Sequence, residues 1–180
     1  MHILDSLRSG ALHGATRVDL VGCGLRALPP EIFQLADSLE ILDLSRNQLS
    51  QLPAELPRLQ RLRVLFASEN AFTELPAVLG QCPQLEMVGF KSNRIVHVPE
   101  EALPERLRWL ILTDNAIETL PDAVGERPRM QKLMLAGNRL QALPEGLAQA
   151  DRLELLRRLF HGRDPAPSSG LDGFTRQVQA

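Results

Sequence analysis

A chain of 180 residues with 44% hydrophobic and 23% charged residues is sized for one soluble globular domain. With 20 basic against 22 acidic residues the net charge is only -2, a field too weak to hold nucleic acid or an anionic membrane. Two distant cysteines, Cys23 and Cys82, give no disulfide framework or metal-ligand spacing, and Asp5 and Arg8 interrupt any signal-peptide core, so a reduced, cytoplasmic protein is expected.

At the N-terminus, Ile3, Leu4, Leu7 and Leu12 fall on a short amphipathic pattern, which predicts a capping segment over residues 1–14. A repeat begins at residue 15. Leu-Pro recurs at Leu28-Pro29, Leu52-Pro53, Leu75-Pro76, Leu120-Pro121 and Leu143-Pro144, with Val98-Pro99 as a conservative sixth case. The proline steps are 24, 23, 23, 22 and 23 residues. An asparagine keeps the same beat at Asn47, Asn70, Asn93, Asn115 and Asn138, and Cys23 takes that slot in the first copy.

Aligned on the asparagine, the copies read LEILDLSRNQLSQLP from Leu39, LRVLFASENAFTELP from Leu62, LEMVGFKSNRIVHVP from Leu85, LRWLILTDNAIETLP from Leu107 and MQKLMLAGNRLQALP from Met130, with a degenerate ATRVDLVGCGLRALP from Ala15. Leucines two apart point to one face of a short strand while the residues between them point to the other. A single coil cannot bury its leucines alone, so the coils must stack, each strand pairing in parallel with the next at about 4.8 Å. The asparagine follows where the chain leaves the strand, and its amide can satisfy backbone groups which the turn leaves open. Leu-Pro then starts the return segment, where proline presets φ for an extended piece or a first helical turn. Leu35, Leu59, Cys82 and Ala150 fill one core slot on that return; Arg127 falls in the same slot and is expected to swing outward or to distort its coil.

The seventh copy starts at Leu153, Leu155 and Leu156 but puts Arg158 and His161 where a leucine and the asparagine belong. Residues 157–180 therefore read as a broken last repeat and a tail rich in Pro, Gly and Ser, expected to be disordered, with only Leu171, Phe174 and Val178 to bury. The loss of phase suggests a shortened version of a longer repeat protein and leaves homodimerisation through an uncapped C-terminal end open.

The third and fifth positions of each strand face the concave side. They read Arg17, Ile41, Val64, Met87, Trp109, Lys132 and Asp19, Asp43, Phe66, Gly89, Ile111, Met134. A contiguous apolar patch on a soluble surface marks binding, and tryptophan and methionine ringed by charge are typical interface anchors. The expected protein-binding set is Ile41, Asp43, Val64, Phe66, Met87, Lys91, Trp109, Ile111, Lys132 and Met134, with Arg94, Asp114 and Arg139 completing a polar rim. The competing reading is that these side chains only cover one another on a curved sheet.

No catalytic, cofactor or metal site is expected. Gly22-Cys23-Gly24 with Ala27 fits a dinucleotide-binding string, but Leu-Pro-Pro follows where a phosphate-binding helix should start. His2, His13, His97 and His161 are too scattered for a metal, and His161-Gly162-Arg163-Asp164 lacks the other parts of a kinase loop.

The aligned copies match the pattern L-x-x-L-x-L-x-x-N-x-L-x-x-L-P, so residues 15–156 resemble the leucine-rich-repeat family. The resemblance implies an α/β solenoid: a curved right-handed coil with a parallel concave sheet, short helical or irregular convex segments, and about six repeats. The Leu-Pro variant, in runs such as Phe72 to Ile95 and Leu107 to Gly125, is most similar to the N-terminal repeats of bacterial leucine-rich-repeat proteins fused to a protein-kinase-like domain. That likeness implies a protein partner and a regulatory or targeting role, with the kinase signatures absent from these 180 residues. The alternatives are the truncated sensing half of such a signalling protein, or a non-functional remnant.

Overall fold

The computed structural model describes residues 2–149 and the backbone of 155–157. The positions Ala150, Leu153, Arg158 and His161 and the tail 158–180 lie outside the described residues.

Seven three-residue strands form one parallel sheet in chain order: β1 Arg17–Asp19, β2 Ile41–Asp43, β3 Val64–Phe66, β4 Met87–Gly89, β5 Trp109–Ile111, β6 Lys132–Met134 and β7 Leu155–Arg157. The register has no slip. Arg17, Ile41, Val64, Met87, Trp109, Lys132 and Leu155 stand side by side from one strand to the next. A parallel neighbour requires a full crossover, and each coil's return supplies it.

The Leu-Pro step sets the start of that return. Pro29, Pro76 and Pro99 hold φ between -60° and -68° and lead directly into 3₁₀ turns at Pro30–Leu35, Ala77–Gln81 and Glu100–Ala102. Further 3₁₀ turns lie at Leu56–Arg58 and Glu145–Gln149. The fifth return is instead a short α-helical turn, Ala123–Glu126. It is the return that carries Arg127, whose side chain is half-buried and whose Nε donates to the Leu103 carbonyl of the preceding coil at 3.2 Å. The guanidinium thus finds a backbone acceptor in a slot where other coils place a buried leucine or cysteine.

Between sheet and returns lies one continuous core, in which the three inward residues of the strand segment and the apolar residue two after the asparagine, such as Leu39, Leu42, Leu44 and Leu49, are buried from the second coil to the sixth. Small Ala67 sits between Leu44 and Phe90 in this core, and Phe72 packs edge-on to Phe90 with ring centroids 5.0 Å apart, so large rings make up the volume that alanine gives away. Cys82 is buried in the same core, and desolvation pushes its thiol up to about 12. At the N-terminal end, helix α1 (Ile3–Arg8) begins at His2, whose Nδ1 accepts from the Leu4 amide, and buries Leu7 against the first return. Ile3, Leu4 and Leu12 pack partly against the core beside it.

Candidate functional site: the concave strand front

In β1 to β6 the central residue is buried and the two flanking residues turn toward the open side. Two rows result. The first runs Ile41, Val64, Met87, Trp109, Lys132 and the second Asp43, Phe66, Gly89, Ile111, Met134. The large side chains of both rows are half-buried, not open: neighbours one strand spacing away screen one another, and the one large hydrophobic residue mostly exposed among the described residues is Val96, outside the strands. Phe66 leans over Gly89, where a Cβ would stand 2.6 Å from the ring's Cδ1, so the glycine is buried by its neighbour's ring. Lys132 places Nζ 3.9 Å from the centre of the Trp109 ring, a cation–π contact between adjacent strands. The Trp109 Nε1 and Thr113 Oγ1 atoms, both from the fifth coil, are buried with no hydrogen-bond partner.

Beyond the strand ends, Lys91, Arg94, Asp114 and Arg139 are exposed. Asp43 is half-buried and has a local duty: its Oδ1 accepts from the Ser45 amide at 2.9 Å, as Asp19 does from Val21 at 3.0 Å. Both aspartates thereby pin the chain where it leaves the strand.

The asparagines sit behind this face. In each of the five coils, Oδ1 accepts a backbone amide of the preceding coil (Leu25, Leu49, Phe72, Ile95 and Ile117 in turn) at 2.9 to 3.2 Å. Nδ2 donates both to the strand-end carbonyl of its own coil and to that of the coil before, as Asn93 does to Phe90 and Ala67. Every rung therefore ties two coils together. The first coil has no coil before it, and there Cys23 reaches only its own turn, with Sγ 3.8 Å from the Val21 carbonyl. Burial, and then Asp19, raise its thiol pKa.

Two further features escape a reading of the motif alone. The residue just before each asparagine slot is left-handed in every coil: Arg46, Glu69, Ser92 and Asp114 at φ 53° to 59°, with Gly22 and Gly137 at 67° and 74°. Four non-glycine residues thus hold a conformation which glycine takes without strain, because the asparagine rung and the interstrand bonds fix the turn around them. The residues just before β2 to β6 form a charge-alternating row, Glu40, Arg63, Glu86, Arg108, ending in Gln131. Arg63 donates to Glu86 Oε1 from Nη2 at 2.6 Å, Arg108 lies 3.8 Å from Oε2, and Arg108 donates to Gln131. Glu86 is only 8% exposed, and its hydrogen bond and charge, with Glu40 farther off, raise the Arg63 pKa. The alternation was legible in the aligned copies; the left-handed turn was not, since its residues share no chemistry.

Among the described residues, no three His, Cys, Asp or Glu side chains gather as a metal-binding group, and no helix is long and apolar enough to cross a membrane.

The leucine rich repeat family model matches residues 13–72. No curated protein matches the chain by sequence. Among solved structures, the chain is similar to the plant peptide hormone receptor RGFR1 in complex with RGF2, at 29% identity and a TM-score of 0.62 over 75% of this chain and 22% of that one. It is similar to a Shigella effector leucine-rich-repeat domain at 27% identity and 0.61, over 79% of this chain and 58% of that one. The Toll–Spatzle complex of Drosophila shares the fold at 23% identity and 0.63, over 69% and 19%. The chain therefore spans between about a fifth and three-fifths of the solved chains it resembles. With the unslipped register and the asparagine rungs, these likenesses make the described part of this chain a leucine-rich-repeat solenoid.

Proposed function

We propose that this chain is a non-enzymatic interaction module that binds a protein partner across its concave strand front, through Ile41, Val64, Phe66, Met87, Trp109, Ile111 and Met134, with Asp43, Lys91 and Lys132 at the margins. The observation that carries the reading is the pair of in-register apolar rows on an open sheet, with Trp109 at their centre. The likeness to a plant peptide hormone receptor solved in complex with RGF2 supports a binding use of the fold.

The test is an affinity capture from host lysate, run in parallel with the wild type and a Phe66→Ala, Trp109→Ala variant and read by mass spectrometry, with circular dichroism on both proteins. A partner retained by the wild type and lost by a folded variant supports the concave front. A partner held equally by both moves the site elsewhere. An unfolded variant would mean that these two side chains are core and would remove the basis of the proposal.

A further inference from the structure

The charges on the strand front are unevenly placed. From the strand through the residue after the asparagine, the first three coils carry Arg17, Asp19, Asp43, Arg46 and Glu69, whereas the next three carry Lys91, Arg94, Asp114, Lys132 and Arg139. The aspartates of the first group are already used, each accepting an amide of its own turn. The carboxylates Glu40 and Glu86, along the strand starts, are engaged by Arg63 and Arg108. In the second group, four cations face a single carboxylate, and none of the four is in an ion pair among the described residues. Unanswered positive charge is therefore concentrated around β4 to β6, where Trp109 lies.

The chemistry at Trp109 has the same direction. Lys132 rests its ammonium on the indole face, where an aromatic quadrupole stands in for an anion. A carboxylate is a stronger partner than a ring for an ammonium, because a charge-assisted hydrogen bond is shorter and more favourable. Beside the ring in register stand Met87 and Lys132 in its own row and Ile111 and Met134 in the other, so an apolar surface that can repack adjoins the cation.

Resting on the concave-front reading, we infer that the partner segment taken by this face is acidic and carries apolar side chains. Its carboxylate draws Lys132 off the Trp109 ring, and an apolar side chain seats on the uncovered indole between Met87, Ile111 and Met134. Lys91, Arg94 and Arg139 steer the same segment toward the fifth coil, a contribution that salt screens.

Trp109 is the sole tryptophan and the chain has no tyrosine, so its emission reports this site alone. The full chain is titrated with a blocked 12-residue peptide of alternating Asp and Leu, and with three counterparts carrying Asn for Asp, Lys for Asp, or Ser for Leu. The expected result is a saturable change in Trp109 emission with the Asp/Leu peptide at low salt. Its binding should weaken roughly tenfold in Lys132→Met, with circular dichroism checking that the variant is folded, and the wild-type binding should weaken as salt is raised. Equal binding of the Asn or Lys peptide, with the emission changing, overturns the acidic class while leaving the concave front in use. Equal binding of the Ser peptide overturns the apolar seat. Unchanged affinity in Lys132→Met, or no emission change with any peptide, overturns the inference; the captured partner's dependence on Phe66 and Trp109 then decides separately whether the concave front itself stands.

Discussion

The turn side and the strand front of the same coils treat their polar atoms in opposite ways. On the turn side, five asparagines repeat one arrangement, and each amide bonds both its own coil and the one before. On the strand front, two polar atoms of the fifth coil are buried without partners, and Lys132 settles for a ring. A position that must hold the stack together has one good solution, which recurs with the period of the coil. A position facing outward is free of that demand, so its residues differ from coil to coil.

Breaking the turn side should have the largest effect. Asn93→Ala leaves the Phe72 amide and the Ala67 carbonyl without their bonds to the side chain in a buried setting, and a loss of about 1–3 kcal/mol is expected. The urea midpoint measures it. A loss under about 0.5 kcal/mol would mean that backbone pairing alone holds the stack.

The charged row at the strand starts should come next. Glu86→Ala removes the carboxylate shared by Arg63 and Arg108, but the Arg63 side chain is 53% exposed, so solvent already screens much of the attraction and about 1 kcal/mol is expected. A double-mutant cycle with Arg63→Ala isolates the pair, and a coupling near zero would leave Glu86 as a solvated margin with no part in the stack.

On the strand front, a larger change in shape should cost less. Gly89→Ala puts a methyl where the Phe66 ring now lies, and the obstacle is the far end of a side chain that can swing toward solvent. The expected outcome is a displaced Phe66 ring, seen in its NMR resonances, with stability lowered by less than about 1 kcal/mol. A collapse in stability would show that Phe66 belongs to the core and that the front is scaffold too.

The same contrast explains what the sequence discloses. The coil period, the strand positions and the buried leucines are legible because stacking forces them to recur, and Leu-Pro marks the start of the return for the same reason. Which residues share the strand front also follows from alternation. How far they cover one another does not: Phe66 over Gly89 and Lys132 over Trp109 are contacts between coils, set by side-chain conformers that no motif records. Arg127 is intermediate. Its misfit in an apolar slot is plain in the sequence, but the Leu103 carbonyl that receives it belongs to another coil.

The smallest effect should come from the one turn-side slot that departs from the pattern. In Asn47, the amide reaches its own coil at the Leu44 and Ser45 carbonyls and the preceding coil at the Leu20 carbonyl and the Leu25 amide. Cys23 has no preceding coil to tie down, so an asparagine there could regain only the bonds within its own turn, where the chain can already bond to water. Cys23→Asn should therefore change stability by no more than about 0.5 kcal/mol. The reverse replacement, Asn70→Cys, removes bonds to Leu49 and Leu44 and should cost about 1–3 kcal/mol. Urea midpoints for the two variants compare the same pair of residue types in the same slot, with and without a coil behind it. If Cys23→Asn stabilised by a full kcal/mol or more, the rung would act mainly within its own turn. The asparagines would then be turn-formers that happen to line up, and the stack would owe its cohesion to the leucines.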